Sequence, residues 1–363
     1  MPRKLVFDRA LLVAVVLLVV GGLVMVYSSS AVFEPGDFGF KYSRSLVVKQ
    51  TAAAVLGLLV MGMTMFVDYR TFRSRVLIYG GLLAVLALLV AALFSGSLNG
   101  SSRWVSIAGV SFQPSELAKL VLVFFLASHI ERKRDRIDEK AFLIPSLGVT
   151  GLIAFLIFRE PDYATMALVV LIAASMIFLA GLAWKTVLSV GLLGVLGLAV
   201  LAFSESYRRA RILAFLQPEA DPQGSGFQII QSKLAIGSGG IFGLGLGQSG
   251  QKLDYLPAAS SDYIFAIWSE ELGLVGAVAL LSLFAVLAWR GVVAGWQAPD
   301  EFGRFVAWGI TAMLVGQALV HVSVTLQLFP PTGVTLPFVS AGGSSLVTTL
   351  LASGVLLNVS QHA

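Results

Sequence analysis

The sequence predicts an all-α integral membrane protein with ten transmembrane helices, because of its composition and its apolar runs. Of the 363 residues, 57% are hydrophobic and only 12% carry a charge, about half the charged share of a typical soluble protein. This excludes a soluble enzyme, a disordered chain and a fibrous repeat. A spanning helix needs about 20 apolar residues, so ten spans leave room for loops within one polytopic membrane domain over residues 1–363, and for no separate soluble domain.

Ten apolar runs justify the helices in order. The first run resembles a signal peptide but is longer than the usual apolar region of one, and nine runs follow it, so we predict a retained first helix. The loop over about 204–262, between helices seven and eight, is too apolar for a linker. We expect it to be partly helical and to lie at the interface or re-enter the bundle. The predicted spans are 10–27, 50–67, 76–94, 116–131, 141–158, 164–182, 186–203, 263–289, 305–326 and 343–359.

The distribution of Lys and Arg predicts that both termini lie in the cytoplasm. With that orientation, fourteen of these cations fall in cytoplasmic segments and six in outer segments other than the long loop, as positive charges do in membrane proteins. The long loop then lies on the outer face. The net charge of +5 does not indicate nucleic-acid binding, because the basic residues lie at span ends and form no patch.

Charged residues near the start of the fourth span form the first candidate site. Pro114 suits the first turn of a helix, and Glu116 and Lys119, three residues apart, share a helix face. Either they form a local ion pair, or they line a polar cavity near the outer surface. Arg103 is either an interfacial anchor beside Trp104 or a clamp for phosphate.

Two further outer segments have simpler interpretations. The turn between spans five and six carries Arg159, Glu160 and Asp162, whose charges we expect to be solvated, with Asp162 capping the sixth helix. The glycine run from Gly237 to Gly247 lacks the Lys-Ser/Thr end of a phosphate-binding loop, and no strand precedes it. We expect it to provide close backbone packing.

The entry to the eighth span is the fourth candidate. Asp262 either caps this helix or belongs to a site. Glu270 and Glu271 lie about 12 Å deeper, where a carboxylate needs a cationic or hydrogen-bonding partner, and Lys119 is the expected one. His321 is either a helix–helix hydrogen-bonding group or a proton relay.

The segment 330–345 contains many breakers and hydroxyls. We expect an ordered non-helical loop that lines a cavity. Its Ser and Gly residues, Ser344 and Ser345 among them, could present backbone N–H groups to an anion.

Taken in order along the chain, these motifs resemble the SEDS family (shape, elongation, division and sporulation). The resemblance covers essentially the whole chain, and the absence of a long cytoplasmic N-terminal extension favours the RodA branch over the FtsW branch. The motifs that carry it are Arg103-Trp104, Phe112-Gln-Pro-Ser-Glu116-Leu-Ala-Lys119, Pro161-Asp162, Ser261-Asp262-Tyr-Ile-Phe265, Glu270-Glu271-Leu-Gly-Leu, and Pro331-Thr-Gly333 continuing to Ser345.

The resemblance implies a ten-helix glycosyltransferase that polymerises lipid II into glycan strands at the outer face of the bacterial cytoplasmic membrane during cell elongation. It implies an inverting reaction with an undecaprenyl-pyrophosphate leaving group. The implied partners are the lipid-linked glycan strand, a class B penicillin-binding protein that acts as transpeptidase, and membrane proteins of the elongation complex. A divalent cation, Mg²⁺ or Mn²⁺, would suit the chemistry, although the sequence shows no ligand set for it.

Within this resemblance, Asp262 takes the place of the essential aspartate. The segment before it, Pro257-Ala-Ala-Ser-Ser, departs from the Pro-Glu-x-His/Lys-Thr of many relatives, so roles of that Glu and that basic residue do not transfer. The residues expected to bind substrate and pyrophosphate are Arg103, Gln113, Glu116, Lys119, Ser344 and Ser345, and those expected to support them are Asp162, Glu270, Glu271 and His321.

Two alternative functions stay open at this point. A flippase for lipid-linked precursor would use intramembrane charges and broken helices, although we find no inverted repeat and the polar motifs cluster at the outer face. A pure scaffold would tolerate substitutions in any cavity.

Overall fold

The computed structural model describes residues 7–33, 40–42, 44–95, 103–107, 110–186, 189, 197, 206–224, 226–252 and 256–363. In these ranges the protein is mainly α-helical. Two short antiparallel hairpins pair β1 (Ala31–Phe33) with β2 (Phe40–Tyr42), and β3 (Val105–Ile107) with β4 (Val110–Phe112). The helices are α1 (Arg9–Ser29), α2 (Arg44–Phe66), α3 (Arg75–Phe94), α4 (Pro114–Lys133), α5 (Lys140–Arg159), α6 (Tyr163–Leu179), α7 (Ser206–Leu216), α8 (Phe227–Ser238), α9 (Ile264–Gln297), α10 (Glu301–Thr325) and α11 (Gly343–His362).

Nine of the ten predicted spans coincide with helices in the described part of the chain. Among the described residues, seven helices are long and apolar enough to cross a membrane: α1, α2 from Leu46, α3, α5, α9, α10 and α11. Helix α6 is apolar but has 17 residues, and α4 has 20 but carries several charged residues. The seventh predicted span, 186–203, lies almost entirely outside the described residues, so the count of ten stays a prediction.

The core forms around α4, α10 and α11, which are the most extensively buried helices. Helix α11 packs along α2, and α10 packs against α9 and α4. Small residues permit this close approach, as is common between membrane helices. A Cβ atom at Gly354 would lie 2.6 Å from the carbonyl oxygen of Met61 on α2. These contacts hold the described helices together in one bundle.

Helix α9 is longer than predicted and is broken near its start. It extends to Gln297 and is interrupted at Gly273, whose φ of 66° is non-helical. A break exposes backbone groups that a continuous helix would pair. The glycine run fills the gap: the N–H groups of residues 244 and 245 donate to the carbonyls of residues 270 and 271, and those of 274 and 275 donate to the carbonyls of 240 and 241, at 2.9–3.1 Å.

This arrangement explains why the segment from Gly237 to Gly247 is rich in glycine. A Cβ atom at Gly243 would lie 2.1 Å from the carbonyl oxygen of Glu271. The run therefore packs backbone against backbone, as its composition predicts. It also carries the residues that follow it deep among the helices.

The rest of the long loop is attached to the end of α10. Helices α7 and α8 are separated by a 3-10 helix over Pro218–Ala220. The Ser232 hydroxyl donates to the Thr325 carbonyl at 3.0 Å, and the Gln327 amide donates to the Ile229 carbonyl at 2.6 Å. The chain after α10 is non-helical up to Gly342. The loop helices and this non-helical segment together form walls of the site.

Candidate functional site

A cavity of about 380 Å³ lies where α6, α7, α8 and α9 meet the non-helical segment after α10. Its charged and amide side chains are Arg103, Asp162, Arg211, Gln228 and Asp262, and residues 330–333 form part of its wall. Two guanidinium groups and two carboxyl groups thus share one space. We call it the Asp262 cavity.

Asp262 lies on a turn just before α9 and does not cap the helix. The N-cap residue is Tyr263, and no side chain makes a cap hydrogen bond there, so the interpretation of Asp262 as an N-cap is wrong. Hydrogen bonds from the non-helical segment after α10 hold this turn in place. The Ser340 hydroxyl donates to the Ser261 carbonyl at 2.6 Å, and the Ala341 N–H donates to the Ser260 carbonyl at 2.9 Å. The Asp262 carboxyl is therefore free to line the cavity.

Arg103 is held by backbone carbonyls at the turn between α5 and α6. Its Nε donates to the Glu160 carbonyl at 3.1 Å, and its Nη2 donates to the Pro161 carbonyl. A Cβ atom at Gly333 would lie 3.4 Å from Asp262 Oδ2 and 3.9 Å from Arg103 Nη1. The carboxylate and the guanidinium therefore both face Gly333 at about contact distance.

The electrostatics of the cavity centre on Asp262. Burial raises the pKa of its carboxyl above the usual value, while a hydrogen bond with Ser261 and the positive charges of Arg103 and Arg211 oppose the rise. Burial, with the nearby Asp262 charge, also raises the pKa of the Tyr263 hydroxyl to about 12. A carboxylate with a raised pKa is a stronger base than one in water.

Asp162 caps α6, as the sequence predicts. Its side chain accepts hydrogen bonds from the Thr165 N–H at 3.2 Å and the Thr165 hydroxyl at 2.9 Å. The Gln113 amide donates to the same carboxylate at 3.2 Å. Gln113 therefore contacts the cavity residue Asp162 but is not itself part of the cavity lining.

The turn that carries Asp162 is buried, so the expectation that its charges are solvated is wrong for Glu160 and Asp162. Their exposed fractions are 0% and 4%. Neither carboxylate oxygen of Glu160 has a hydrogen-bond partner among the described residues. Burial and the nearby Asp162 charge raise the pKa of Glu160 to about 8, against the opposing effect of Arg103.

Glu116 and Lys119 are close together but do not line the Asp262 cavity. Lys119 Nζ donates to Glu116 Oε1 at 2.9 Å and to Gln317 Oε1 at 2.5 Å. The Ser345 hydroxyl donates to Glu116 Oε2 at 3.0 Å, and the Gln317 amide donates to the Thr335 carbonyl at 2.9 Å. Both charged side chains are almost fully buried. The local ion pair is observed, and the predicted substrate contact stays a prediction.

Glu270 and Glu271 do not pair with Lys119, so that expectation is wrong. Lys252 Nζ lies 3.3 Å from Glu271 Oε1, and the Ser28 hydroxyl on α1 lies 2.7 Å from both oxygens of this carboxylate. The reason is the break in α9, through which the glycine run brings Lys252 into the bundle.

Glu270 has its own partners in the same loop. The Ser249 hydroxyl and the Gly250 N–H donate to its carboxylate at 2.5 and 3.1 Å.

The remaining predicted residues are buried behind the cavity. His321 Nδ1 lies 2.7 Å from the Val334 carbonyl oxygen, so the hydrogen bond of this ring nitrogen is to the non-helical segment. Its Nε2 has no hydrogen-bond partner in the described part of the chain, and neither has the buried Ser344 hydroxyl. Ser345 belongs to the network of Glu116.

The sequence interpretation misses Arg211 and Gln228 in the cavity and Lys252 in the bundle. All three lie in the long loop, where amphipathic character predicts short helices but cannot show which side chains turn inward. Within the described ranges there is no group of three or more His, Cys, Asp or Glu side chains that could hold a metal ion.

The chain is similar to known proteins over nearly its whole length. The model of the FtsW, RodA and SpoVE cell cycle proteins matches residues 9–363. Stage V sporulation protein E of Bacillus subtilis is 43% identical, covering 98% of this chain and 97% of that protein. A protein of Geobacter sp. strain M18, named a probable peptidoglycan glycosyltransferase FtsW, is 38% identical, covering 98% of this chain and 96% of that protein.

Solved structures share the fold. A chain from work on the structural coordination of polymerization and crosslinking by a peptidoglycan synthase complex has a TM-score of 0.81 at 32% identity, covering 98% of this chain and 97% of that chain. The rod shape determining protein RodA of Thermus thermophilus has a TM-score of 0.73 at 28% identity, covering 99% and 98%. The chain therefore belongs to the FtsW, RodA and SpoVE family of cell cycle proteins, the SEDS family that its motifs resemble.

Proposed function

We propose that this protein is a glycosyltransferase that polymerises lipid II into glycan strands at the outer face of the bacterial cytoplasmic membrane. The observation that carries the proposal is the Asp262 cavity, where one carboxylate and one guanidinium lie on either side of Gly333. The name of the Geobacter relative supports the same reaction class. With both termini in the cytoplasm, this cavity faces the outer side.

In the proposed reaction, Asp262 is the general base. It takes the proton of the acceptor sugar hydroxyl, whose oxygen bonds to the anomeric carbon of the donor as the bond from that carbon to the pyrophosphate breaks. Its raised pKa suits proton removal near neutral pH. Because the donor linkage is α and glycan strands are β, the configuration inverts.

Arg103 stabilises the departing pyrophosphate. A fixed cation is most effective where negative charge develops in a site with little water, and two backbone carbonyls already hold this guanidinium in place. Gln113 supports the cavity through Asp162. Ser344, Ser345, Glu116 and Lys119 lie behind the cavity, so we assign them an indirect part in binding.

A divalent cation, Mg²⁺ or Mn²⁺, fits this site only together with substrate. Asp162 is committed to Thr165 and Gln113, which leaves Asp262 as the carboxylate for a metal. Mg²⁺ is usually held by one or two carboxylates and substrate phosphates, and such a bound ion would neutralise phosphate charge. Polymerisation assays with and without EDTA would test the requirement.

The proposed partners follow from the family. We propose that the protein acts with a class B penicillin-binding protein that crosslinks the strands, and with membrane proteins of the elongation complex. Assignment to the RodA branch, and hence to cell elongation, is part of the proposal, because relatives named FtsW and SpoVE are also similar.

Polymerisation of lipid II by the purified protein tests the proposal directly. The assay uses liposomes that offer lipid II on the outer leaflet, with and without the penicillin-binding partner, and compares wild type with Asp262→Asn. We expect glycan strands from wild type and at least a hundredfold loss in the variant, with unchanged thermal stability and partner binding. Strands formed equally by the variant would refute the role of Asp262.

The same assay separates the enzyme from a flippase or a scaffold. A flippase would require substrate on the inner leaflet, and a scaffold would tolerate substitutions in the Asp262 cavity. The glutamates that a transporter would use are both paired: Glu271 with Lys252 and Glu270 with the glycine loop. These contacts favour the enzyme.

A further inference from the structure

We propose that Arg211 forms a second anion-binding subsite in the Asp262 cavity, which takes the pyrophosphate of the second lipid-linked substrate. This inference rests on the proposed function, because joining two lipid-linked sugars brings two pyrophosphate groups to one site. Arg103 then binds the pyrophosphate that leaves, and Arg211 binds the one that remains attached to the acceptor.

The two arginines belong to separate walls of the cavity. Arg103 is anchored to the turn between α5 and α6. Arg211 lies on α7 in the long loop, and its Nη1 donates to the Pro331 carbonyl at 3.4 Å. Pro331 lies two residues before Gly333, the residue that both Asp262 and Arg103 approach. Arg211 is therefore attached to the segment that borders the reaction space, on an element different from the one that holds Arg103.

Both guanidinium groups act on the same carboxylate. Arg103 and Arg211 each lower the pKa of Asp262, against the rise that burial causes. Interaction of both cations with one carboxyl places them within electrostatic reach of a single reacting centre. A cavity with two such cations suits two substrates that each carry an anionic group.

The chemistry of the arginine side chain fits a phosphate ligand. A guanidinium is planar, stays charged, and can bind a phosphate through two parallel hydrogen bonds. Arg211 is exposed on its helix, so a ligand can reach it without a change in the bundle. Gln228 on α8 also lines the cavity and offers an amide donor to the same ligand.

Helix α7 provides a matched control. Arg209 lies two residues before Arg211 on this helix and is also exposed, but it is not part of the cavity lining. A general loss of positive charge from the loop would affect Arg209→Gln and Arg211→Gln alike. A subsite in the cavity predicts an effect of Arg211→Gln alone.

The first test measures binding without catalysis. Undecaprenyl pyrophosphate is titrated into the full chain in nanodiscs, and its binding is followed by intrinsic fluorescence. We expect two molecules bound per wild-type chain and per Arg209→Gln chain, and one bound molecule, or about tenfold weaker binding of the second, for Arg211→Gln. Equal binding by all three proteins would overturn the subsite, whether or not the protein polymerises lipid II.

The second test uses polymerisation kinetics. For Arg211→Gln we expect KM for lipid II to rise about tenfold while kcat changes less than threefold. The KM of Arg211→Lys should lie between those of Arg211→Gln and wild type, because lysine keeps the positive charge but cannot bind phosphate through two parallel hydrogen bonds. An unchanged KM would contradict the subsite. Failure of wild type to polymerise would contradict the proposed function and leave the binding test valid.

Discussion

Two sets of charged side chains can be compared, those that line the Asp262 cavity and those buried in the interior of the helical bundle. In the cavity, both arginines donate hydrogen bonds to backbone carbonyl oxygens, and Asp262 lines the cavity. In the interior, Lys252 and Glu271 pair at 3.3 Å with side chains that are 1% and 0% exposed. The Lys119 and Glu116 pair is similarly enclosed.

Under the proposed function, the difference is that the charges with a structural role pair with one another, whereas those of the Asp262 cavity line a space that a ligand can enter. A charge in an apolar slab is costly, so either it has a partner or it faces a polar cavity where it can act. Charges that are fully paired stabilise the arrangement of helices. Charges that line a cavity are those that a substrate can reach.

Removal of Lys252 gives the largest expected effect on stability. Lys252→Met leaves Glu271 buried with only the Ser28 hydroxyl as a side-chain partner, and an unpaired buried charge costs about 3–5 kcal/mol. Thermal and denaturant unfolding in detergent measure the loss. The double variant Lys252→Met, Glu271→Gln should recover most of it, because no charge remains unpaired. A single variant as stable as wild type would contradict the structural role of this pair.

The Lys119 and Glu116 pair gives a second test of the difference between buried pairs and cavity charges, because the sequence predicts that these two residues bind substrate. Lys119→Met should destabilise the protein by about 3 kcal/mol, and Glu116→Gln combined with it should restore much of the stability. Unfolding and lipid II polymerisation are measured on the same samples. We expect activity to follow stability through this series. A variant of wild-type stability that has lost polymerisation would show that Lys119 contacts substrate after all.

Much of the fold could be predicted from the sequence because each span is a local signal. About 20 consecutive apolar residues define a helix without knowledge of its neighbours, and the starts of α4 at Pro114 and α6 after Asp162 follow from local capping rules. The break at Gly273 has no such local signal. It depends on the glycine run, some 30 residues earlier in the chain, which supplies the missing backbone hydrogen bonds.

The site was predictable to a smaller extent for a related reason. Asp262 and Arg103 stand out as charges at the outer ends of spans. Arg211 does not stand out, because the sequence does not show which cations of the long outer loop line the cavity once the loop is folded. The sequence prediction of Lys119 as the partner of Glu271 is wrong because Lys252 lies in that loop, and only the folded structure shows that this part of the loop enters the bundle.

Gly243 tests whether the glycine run needs its glycines for close backbone packing. Its φ is +82°, and a Cβ atom there would lie 2.1 Å from the Glu271 carbonyl oxygen, so Gly243→Ala should cost about 1–3 kcal/mol from backbone strain alone. Gly237→Ala is the matched control, because nothing lies within 4 Å of its Cβ position and alanine favours the end of α8. Unfolding in detergent compares the two. Equal stabilities would mean that the run does not need its glycines for packing.

Glu160 gives the smallest expected effect, and it tests whether an unpaired buried carboxyl near the cavity is held neutral. Because its pKa rises from the ordinary 4.5 to about 8, the folded protein keeps a proton that the unfolded chain releases. Its contribution to stability is therefore fully present below pH 4.5 and is lost as the pH rises towards 8. Glu160→Gln should remove this dependence and stabilise the protein by about 1 kcal/mol near pH 7, since the amide also lacks partners.

Thermal unfolding from pH 5 to pH 8 measures the effect of Glu160→Gln against wild type. The difference between the two melting temperatures should grow with pH. Only wild type has the Glu160 carboxyl, which ionises at a lower pH in the unfolded chain than in the folded protein. Glu219→Gln, at an exposed position of the long loop, is the control and should leave the profile of wild type unchanged. A constant difference across this range would mean that Glu160 is already ionised in the fold and is paired with Arg103. The Arg103 guanidinium would then be less available to the proposed phosphate ligand.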